Sequence, residues 1–205
     1  MFGEFPNKPL LELIEPNSRI SYGVLVPGDD FPEGVPFVRV QDLDRRNPPA
    51  KPNKSISPDI DAHYTRTRLR GGEVLVGVVG SIGKIGIAPK SWAGANIARA
   101  VCRILPGQLI DRDYLAAVMQ STTIQRYFRD ATRTLAQPTL NVRLLEQTPI
   151  PTAPLPEQRR IVAYLDNLQV RVDVLEKLQA EICQAIHLAP DELAPRLSRY
   201  LFKGS

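Results

Sequence analysis

Pro154-Leu155-Pro156-Glu157-Gln158-Arg159-Arg160 opens a pattern that runs on to Ile186. Along it Ile161, Leu165, Leu168, Val172, Leu175, Ile182 and Ile186 are spaced by alternating fours and threes, with Gln179 standing at the seam position between Leu175 and Ile182. A repeat of about 3.5 residues draws one narrow stripe down a helix, and a stripe bordered by Arg171, Glu176, Lys177 and Glu181 asks for another helix rather than a broad core. Pro156 suits a first helical position because its missing N–H would have no partner there, and Glu157 sits where the helix dipole favours an anion. From Pro156 to Ile186 such a helix extends roughly 45 Å, and propensity alone does not hold it in water. The stretch therefore predicts a spacer and dimerisation helix over residues 154–187. A globular unit precedes it over 1–153, and a short helix through Leu193, Leu197 and Leu201 follows within 188–205.

Working outward, the 205 residues suffice for one domain of ordinary size plus that extension, and 43% hydrophobic content suffices for a core. No signal peptide and no apolar run of membrane-spanning length is present, which predicts a cytoplasmic protein with no membrane partner. Cys102 and Cys183 lie far apart, and only His63 and His187 stand by to help them hold a metal. The expectation is no metal, no cofactor and two reduced, buried thiols.

The formal charge of +4 is unevenly spread. Residues 1–38 hold two basic and six acidic side chains, whereas 39–103 hold twelve and five. The positive field thus belongs to the middle of the globular unit, as suits a face turned toward a polyanion, although a merely solvated surface has the same composition.

Along that unit, Leu10, Leu11, Leu13 and Ile14 form a short amphipathic turn stopped by Pro16, and Ile20 to Val26 reads as extended chain before the Pro27-Gly28-Asp29-Asp30 turn. Pro36 to Val40 reads as a strand with Arg39 opposite its apolar neighbours, and the proline-rich 44–60 as an extended basic loop. Gly71–Gly80 and Ser81–Ala88 read as paired strands turning at Gly80 to Gly83, and 97–105 as another strand. The period then becomes helical through Tyr114, Leu115, Val118 and Met119 with a cap at Asp111 or Asp113, again through Ile124, Tyr127 and Phe128, and briefly at Leu144 and Leu145 behind Asn141. The fold class is α+β: a β-rich globular unit, a long coiled-coil-forming helix and a short terminal helix.

No catalytic constellation emerges. Asn47-Pro48-Pro49-Ala50 resembles the Asn-Pro-Pro-aromatic motif of amino-methyltransferases, but Ala50 stands where the stacking aromatic is needed. Gly80, Gly83 and Lys84 lack the spacing of a phosphate loop, and Ile85 occupies its hydroxyl position. A Gly80-Ser81-Ile82-Gly83 turn touching a nucleic-acid backbone competes with a plain tight turn. Arg66, Arg68 and Arg70 alternate, so on extended chain all three emerge on one side, as a phosphate-facing row or as a charged solvated edge.

Taken in order, several of these stretches resemble the specificity (S) subunit of type I restriction-modification systems. The residues are Tyr22-Gly23, Gly34 to Leu43, Gly72-Glu73-Val74-Leu75-Val76, Gly80 to Lys84, Gln137 to Asn141, Ile150-Pro151, Leu155 to Val162 and Leu201-Phe202-Lys203-Gly204. The resemblance covers nearly the whole chain, as one half of such a subunit. It implies a non-catalytic unit that reads part of a bipartite site on double-stranded DNA and directs adenine methyltransferase (M) and restriction/translocase (R) subunits to it. The usual subunit carries two recognition domains and two antiparallel helices. Read as a complete chain, this sequence implies a homodimer whose half-sites are inverted repeats. Polarity, loop position and the shared motifs together give DNA-contacting candidates Tyr22, Arg39, Gln41, Arg66, Arg68, Ser81, Lys84, Arg133, Thr139 and Asn141. The dimerisation candidates are the seam residues with Gln179. The contrasting expectation is a protein-interaction head on a dimerising stalk, with no role on DNA.

Overall fold

A computed structural model describes residues 5–133 and 139–185. It divides into two compact units at Arg159/Arg160.

The first unit is built on a four-stranded antiparallel sheet. Its strands are β2 (Ser21–Tyr22), β8 (Val101–Ile104), β5 (Val74–Gly77) and β6 (Ile85–Ile87), in the order β2-β8-β5-β6. Every residue of β5 and β8 is buried, which explains why Val74 to Val78 reads as a continuous apolar run rather than an alternating one. Beside it lies a three-stranded sheet, β4 (Ser55–Ile56), β3 (Val35–Val38) and β7 (Asn96–Ile97), in the order β4-β3-β7 with β3 and β7 parallel. The main core sits among Val38, Leu43, Leu75, Trp92, Ile97 and Val101. A smaller cluster of Val24, Phe37 and Ile56 lies under the 24–31 loop.

The turn between β5 and β6 places Gly80 at φ 76° and Gly83 at φ 77°, left-handed values that suit glycine. Gly23 is fixed for a different reason. The Val24 N–H donates to the Ile97 carbonyl at 2.8 Å, and a Cβ on Gly23 would stand 1.8 Å from that same oxygen.

Helices α2 (Arg112–Gln120) and α3 (Thr122–Thr132) follow β8, and α2 lies against β5, β6 and β9 (Pro149–Pro151). Asp111 caps α2, accepting from the Asp113 and Tyr114 N–H groups, and Ser121 caps α3. Asn141 caps the short α4 (Val142–Glu146), its side chain accepting from Leu144 N–H at 2.8 Å. Strand β9 returns to pair antiparallel with β1 (Asn7–Pro9), so the two ends of the globular unit are tied together.

The second unit carries most of α5 (Leu155–Ala185), 31 residues long. Its first turn belongs to the globular unit, where Gln158 is fully buried. The Gln158 amide accepts from the Asp111 N–H at 2.7 Å and donates to the carbonyls of Leu109 at 3.0 Å and Ala153 at 2.7 Å. That amide also orients the residue that caps α2. Beyond this turn Leu165, Leu168, Val172, Leu175, Gln179 and Ile182 are exposed and Ile161 half-buried. Ile186 and the helix expected within 188–205 lie outside the described residues. Tyr164 and Leu178 widen the apolar stripe, and Val170 and Val174, on the same i, i+4 row as Leu178, carry exposed apolar surface further round the helix.

Three local expectations are corrected. Strand β3 ends at Val38, and Arg39 instead begins a 3-10 turn, Val40–Asp42, because Asp42 captures the Arg39 N–H at 2.7 Å. The 44–60 segment is not loop throughout: Ser55–Ile56 forms β4, and α1 (Pro58–Ala62) starts behind a Ser57 cap. The arginines at 66, 68 and 70 do not form one row. Thr65–Thr67 is a 3-10 turn, and the Arg68 side chain is claimed by Asp61.

Both cysteines are free and buried, and burial pushes the Cys102 thiol up to about 12. Among the described residues no helix is long and apolar enough to cross a membrane, and no cluster of side chains suits a metal ion.

Candidate nucleic-acid interface

Several sequence-predicted residues meet through a run of contacts across one part of the globular unit. The Tyr22 hydroxyl donates to the Leu140 carbonyl at 3.1 Å, and the Leu140 N–H donates to Val78 at 3.0 Å. Thr139 bridges Val79, which leads into the exposed Gly80-Ser81 turn. At the turn's far end the Lys84 ammonium donates to the Gln41 carbonyl at 3.0 Å. Tyr22, Thr139, Asn141, Ser81, Lys84 and Gln41 are therefore brought together from four separate stretches. Gln125 braces the turn from below, its amide donating to the Gly83 carbonyl at 2.9 Å.

This arrangement divides the candidates by the freedom of their polar groups. The Gln41 side chain is not the group that holds Lys84, and Gln41, Ser81 and Lys84 are exposed. The acceptor of the Lys84 ammonium is a neutral carbonyl, and the nearby Asp44 carboxylate feels its charge. Tyr22 has donated its proton to Leu140, and burial raises its pKa, with Cys102 adding to the shift and a Val142 N–H and Arg99 opposing it. Asn141 uses its side-chain oxygen as a cap. Arg39 is drawn to Asp42, with its Nε 3.7 Å from the carboxylate.

Arg68 is exposed but paired at the surface with a buried carboxylate. Its guanidinium pairs with Asp61, which is buried and also accepts from Asn96 Nδ2 at 2.9 Å. Thr67 joins by donating to Asn96 Oδ1 at 2.7 Å. Arg133 is exposed at the C-terminal end of α3, and the contacts that link the others do not include it.

Tyr22 also forms a wall of a groove of about 780 Å³ that composition had not located. Its lining includes Arg19, Arg66, Arg70 and Arg103, with Tyr64 opposite and Glu15 as the one carboxylate. Only Arg66 and Tyr22 of these were singled out for DNA from sequence. Arg103 escaped notice because it lies within the apolar run of β8, where a charged residue that is 8% exposed is the informative feature.

The Asn47-Pro48-Pro49-Ala50 loop is pinned by its backbone. Trp92 Nε1–H donates to the Pro49 carbonyl and the Ser91 hydroxyl to the Ala50 carbonyl, both at 3.0 Å. That is a structural anchor, and no base-stacking aromatic stands there.

Residues 27–184 match the family described as the type I restriction modification DNA specificity domain. The chain is 33% identical over 169 residues, 82% of its length, to the type I restriction enzyme EcoBI specificity subunit of Escherichia coli, and spans 35% of that relative. Two solved structures share the fold. One, from work on complex assembly and conformational transition of the type I R-M system, has a TM-score of 0.64 and 24% identity, over 89% of this chain and 42% of its own. The other, the HsdS subunit from Thermoanaerobacter tengcongensis, has a TM-score of 0.61 and 24% identity, over 88% and 41%. The chain thus spans about a third of the curated relative and under half of each solved one. With its motifs placed on this scaffold and the family match covering most of its length, the chain belongs to the type I restriction modification DNA specificity domain family.

Proposed function

We propose that residues 1–153 form a target-recognition domain that reads one half of a bipartite site on double-stranded DNA, and that residues 154–187 form the spacer helix through which two copies pair. The chain acts as a non-catalytic, cytoplasmic specificity subunit that directs adenine methyltransferase and restriction subunits to that site. Gln41, Ser81 and Lys84 are its best base or backbone contacts, with Arg66 on phosphates. The observation that carries the reading is the face running from Tyr22 to Lys84, on a member of a DNA specificity family.

The exposed apolar stripe of α5 supports the pairing. Tyr164 and Leu178 beside the seam, with Val170 and Val174 further round the helix, offer more apolar surface than one partner helix covers, which suits a second copy together with a methyltransferase helix. Gln179 at a seam position would fix register at some cost in stability.

A protein-interaction module without a DNA role would need the basic face neutralised internally. Arg68 and Arg39 do pair with carboxylates, yet Lys84 hydrogen-bonds only a carbonyl with Asp44 nearby, and the groove holds four arginines against Glu15.

The test is to co-express the chain with its methyltransferase subunit and sequence the methylated adenines. Two half-sites in inverted repeat at a fixed spacing support the whole reading. Methylation unchanged by the chain's presence refutes the specificity role, and an asymmetric site refutes the homodimer.

A further inference from the structure

The groove is lined by four arginines, and none of Arg19, Arg70 and Arg103 was among the DNA-contacting candidates. Its floor and mouth differ. Arg103 forms the floor: it projects from β8, is 8% exposed, and donates from Nη1 to the Arg68 carbonyl at 2.8 Å, while its buried Nε has no acceptor. Burial lowers its pKa, with Glu73 and Glu15 opposing that shift and Arg70 adding to it. The guanidinium nonetheless stays charged at neutral pH. Arg66 and Arg70 are exposed at the mouth.

Nearby carboxylates offset only part of this charge, since Glu73 and Glu15 act on Arg103 against four guanidinium groups. Glu73 is fully buried and already accepts the N–H groups of Arg70 at 2.6 Å and Gly71 at 2.9 Å. That leaves Glu15, half-buried on the groove wall, with Oε2 3.5 Å from Arg70 Nη1. Glu15 is itself held by backbone: its N–H donates to the Leu105 carbonyl at 2.8 Å, and a tight turn follows in which Asn17 has φ 62° and Ser18 donates back to the Glu15 carbonyl. On the other wall the Tyr64 hydroxyl accepts the Leu25 N–H at 3.5 Å, which leaves its own proton to donate.

A concavity with four guanidinium groups, a phenolic donor and one displaceable carboxylate takes a tetrahedral oxyanion. Planar guanidinium forks suit phosphate oxygens in pairs. We infer that this groove seats one backbone phosphate of DNA, and that Glu15 occupies Arg70 in the free protein as a stand-in which the phosphate displaces. The inference rests on the DNA-recognition reading and adds to it a contact that carries no sequence information. An open mouth formed by exposed arginines admits a continuous strand laid across it, and a phosphodiester presents the same oxygens as a free phosphate.

The experiment titrates the full chain with fluorescent mixed-sequence duplexes over a series of salt concentrations, comparing wild type with Arg66→Gln/Arg70→Gln and with Glu15→Gln. Inorganic phosphate is titrated in parallel, with Arg70 followed by NMR. Thermal melts establish that the exposed substitutions leave the fold intact. The double substitution should weaken binding by about tenfold on every duplex and lower the slope of log affinity against log salt by about 0.9. Glu15→Gln should tighten binding severalfold, an effect that loss of a merely structural ion pair does not produce. No duplex binding by the wild type in low salt overturns both this inference and the recognition reading. Duplex binding that is unchanged in affinity and slope by the double substitution overturns the groove alone. Loss of phosphate binding with duplex binding unchanged overturns it as well, assigning the seat to a free anion.

Discussion

Gln158→Ala should destabilise the globular unit by about 3–4 kcal/mol, the sum of groups left without partners. The side chain is fully buried and satisfies the Asp111 N–H and the carbonyls of Leu109 and Ala153. Removing one partner from a buried hydrogen bond costs roughly 1–3 kcal/mol. Taking the low end for each of the three groups and adding a small cavity term gives the estimate. Against a domain stability of roughly 5–15 kcal/mol this is a large share. In urea, with m near ~2 kcal/mol/M, the midpoint should fall by about 1.5–2 M at unchanged m. Hydrogen exchange supplies the local readout: the Asp111 amide should lose protection, and the α2 amides with it, because that N–H belongs to the α2 cap residue.

Gln158→Glu separates hydrogen bonding from packing. It keeps the volume, and its carboxylate still accepts from Asp111, but the ionised form cannot donate to either carbonyl. At pH 7 it should therefore be at least as damaging as alanine. Burial among acceptors raises the folded-state pKa of such a carboxyl above its unfolded value, so the penalty is full at neutral pH and shrinks as pH falls through the raised value. A Gln158→Ala midpoint within ~0.5 M of wild type, or a Gln158→Glu penalty that does not shrink in acid, would refute this account.

Three further outcomes follow from the same geometry. Asp61→Ala should cost about 1–3 kcal/mol by denaturant melt, since it removes an acceptor from the buried Asn96 amide, and Arg68→Ala, at an exposed side chain, should cost far less. Burial pushes the Cys102 thiol up to about 12, so the fold holds this proton more tightly than the unfolded chain does. Stability should then fall as pH rises above the ordinary thiol value and on toward 12, with a shallower fall in Cys102→Ala, and Cys102 should resist a thiol reagent at pH 8 until guanidinium unfolds the chain. If α5 pairs through its seam at ~1.5–3 kcal/mol per buried side chain, Leu168→Glu with Leu175→Glu should give a monomer, and an unchanged mass by light scattering would remove the seam.

Legibility tracked the range of the interactions involved. Capping is local, and Asp111, Asn141 and the long helix from Leu155 were readable because a cap and the N–H groups that donate to it lie within four residues. The hairpin turning through Gly80 to Gly83 was readable for the same reason. Arg39 was misplaced because Asp42, three residues on, captured a backbone N–H that an alternation rule assigns to a strand. The arginine groove was hidden because its members come from four stretches that only the sheet brings together. Arg66, Arg68 and Arg70 show the limit most directly: equal spacing suggested equal roles, yet Asp61 takes the middle one and leaves the other two to the groove.

Within the stretches that carry the family resemblance, two kinds of residue stand side by side and are separated by a physical reason. Gln158, within Pro156-Glu157-Gln158, is buried with its amide hydrogen-bonded to three backbone groups. Gly23, after Tyr22, lacks the room for a methyl group, and Asn141 spends its side-chain oxygen on α4. Groups whose hydrogen bonds are filled by the chain's own backbone have little left to offer a base edge. Gln41, Ser81 and Lys84, by contrast, are exposed, and their side chains can change without leaving a buried group unpaired. Exchanging Gln41 or Ser81 for other polar residues should therefore shift sequence preference with under ~0.5 kcal/mol change in stability, whereas substitutions at Gln158, Gly23 and Asn141 should do the reverse. A scaffold divided in this way can change the exposed residues inside its shared stretches while keeping its fold, because the buried residues of the same stretches hold the backbone.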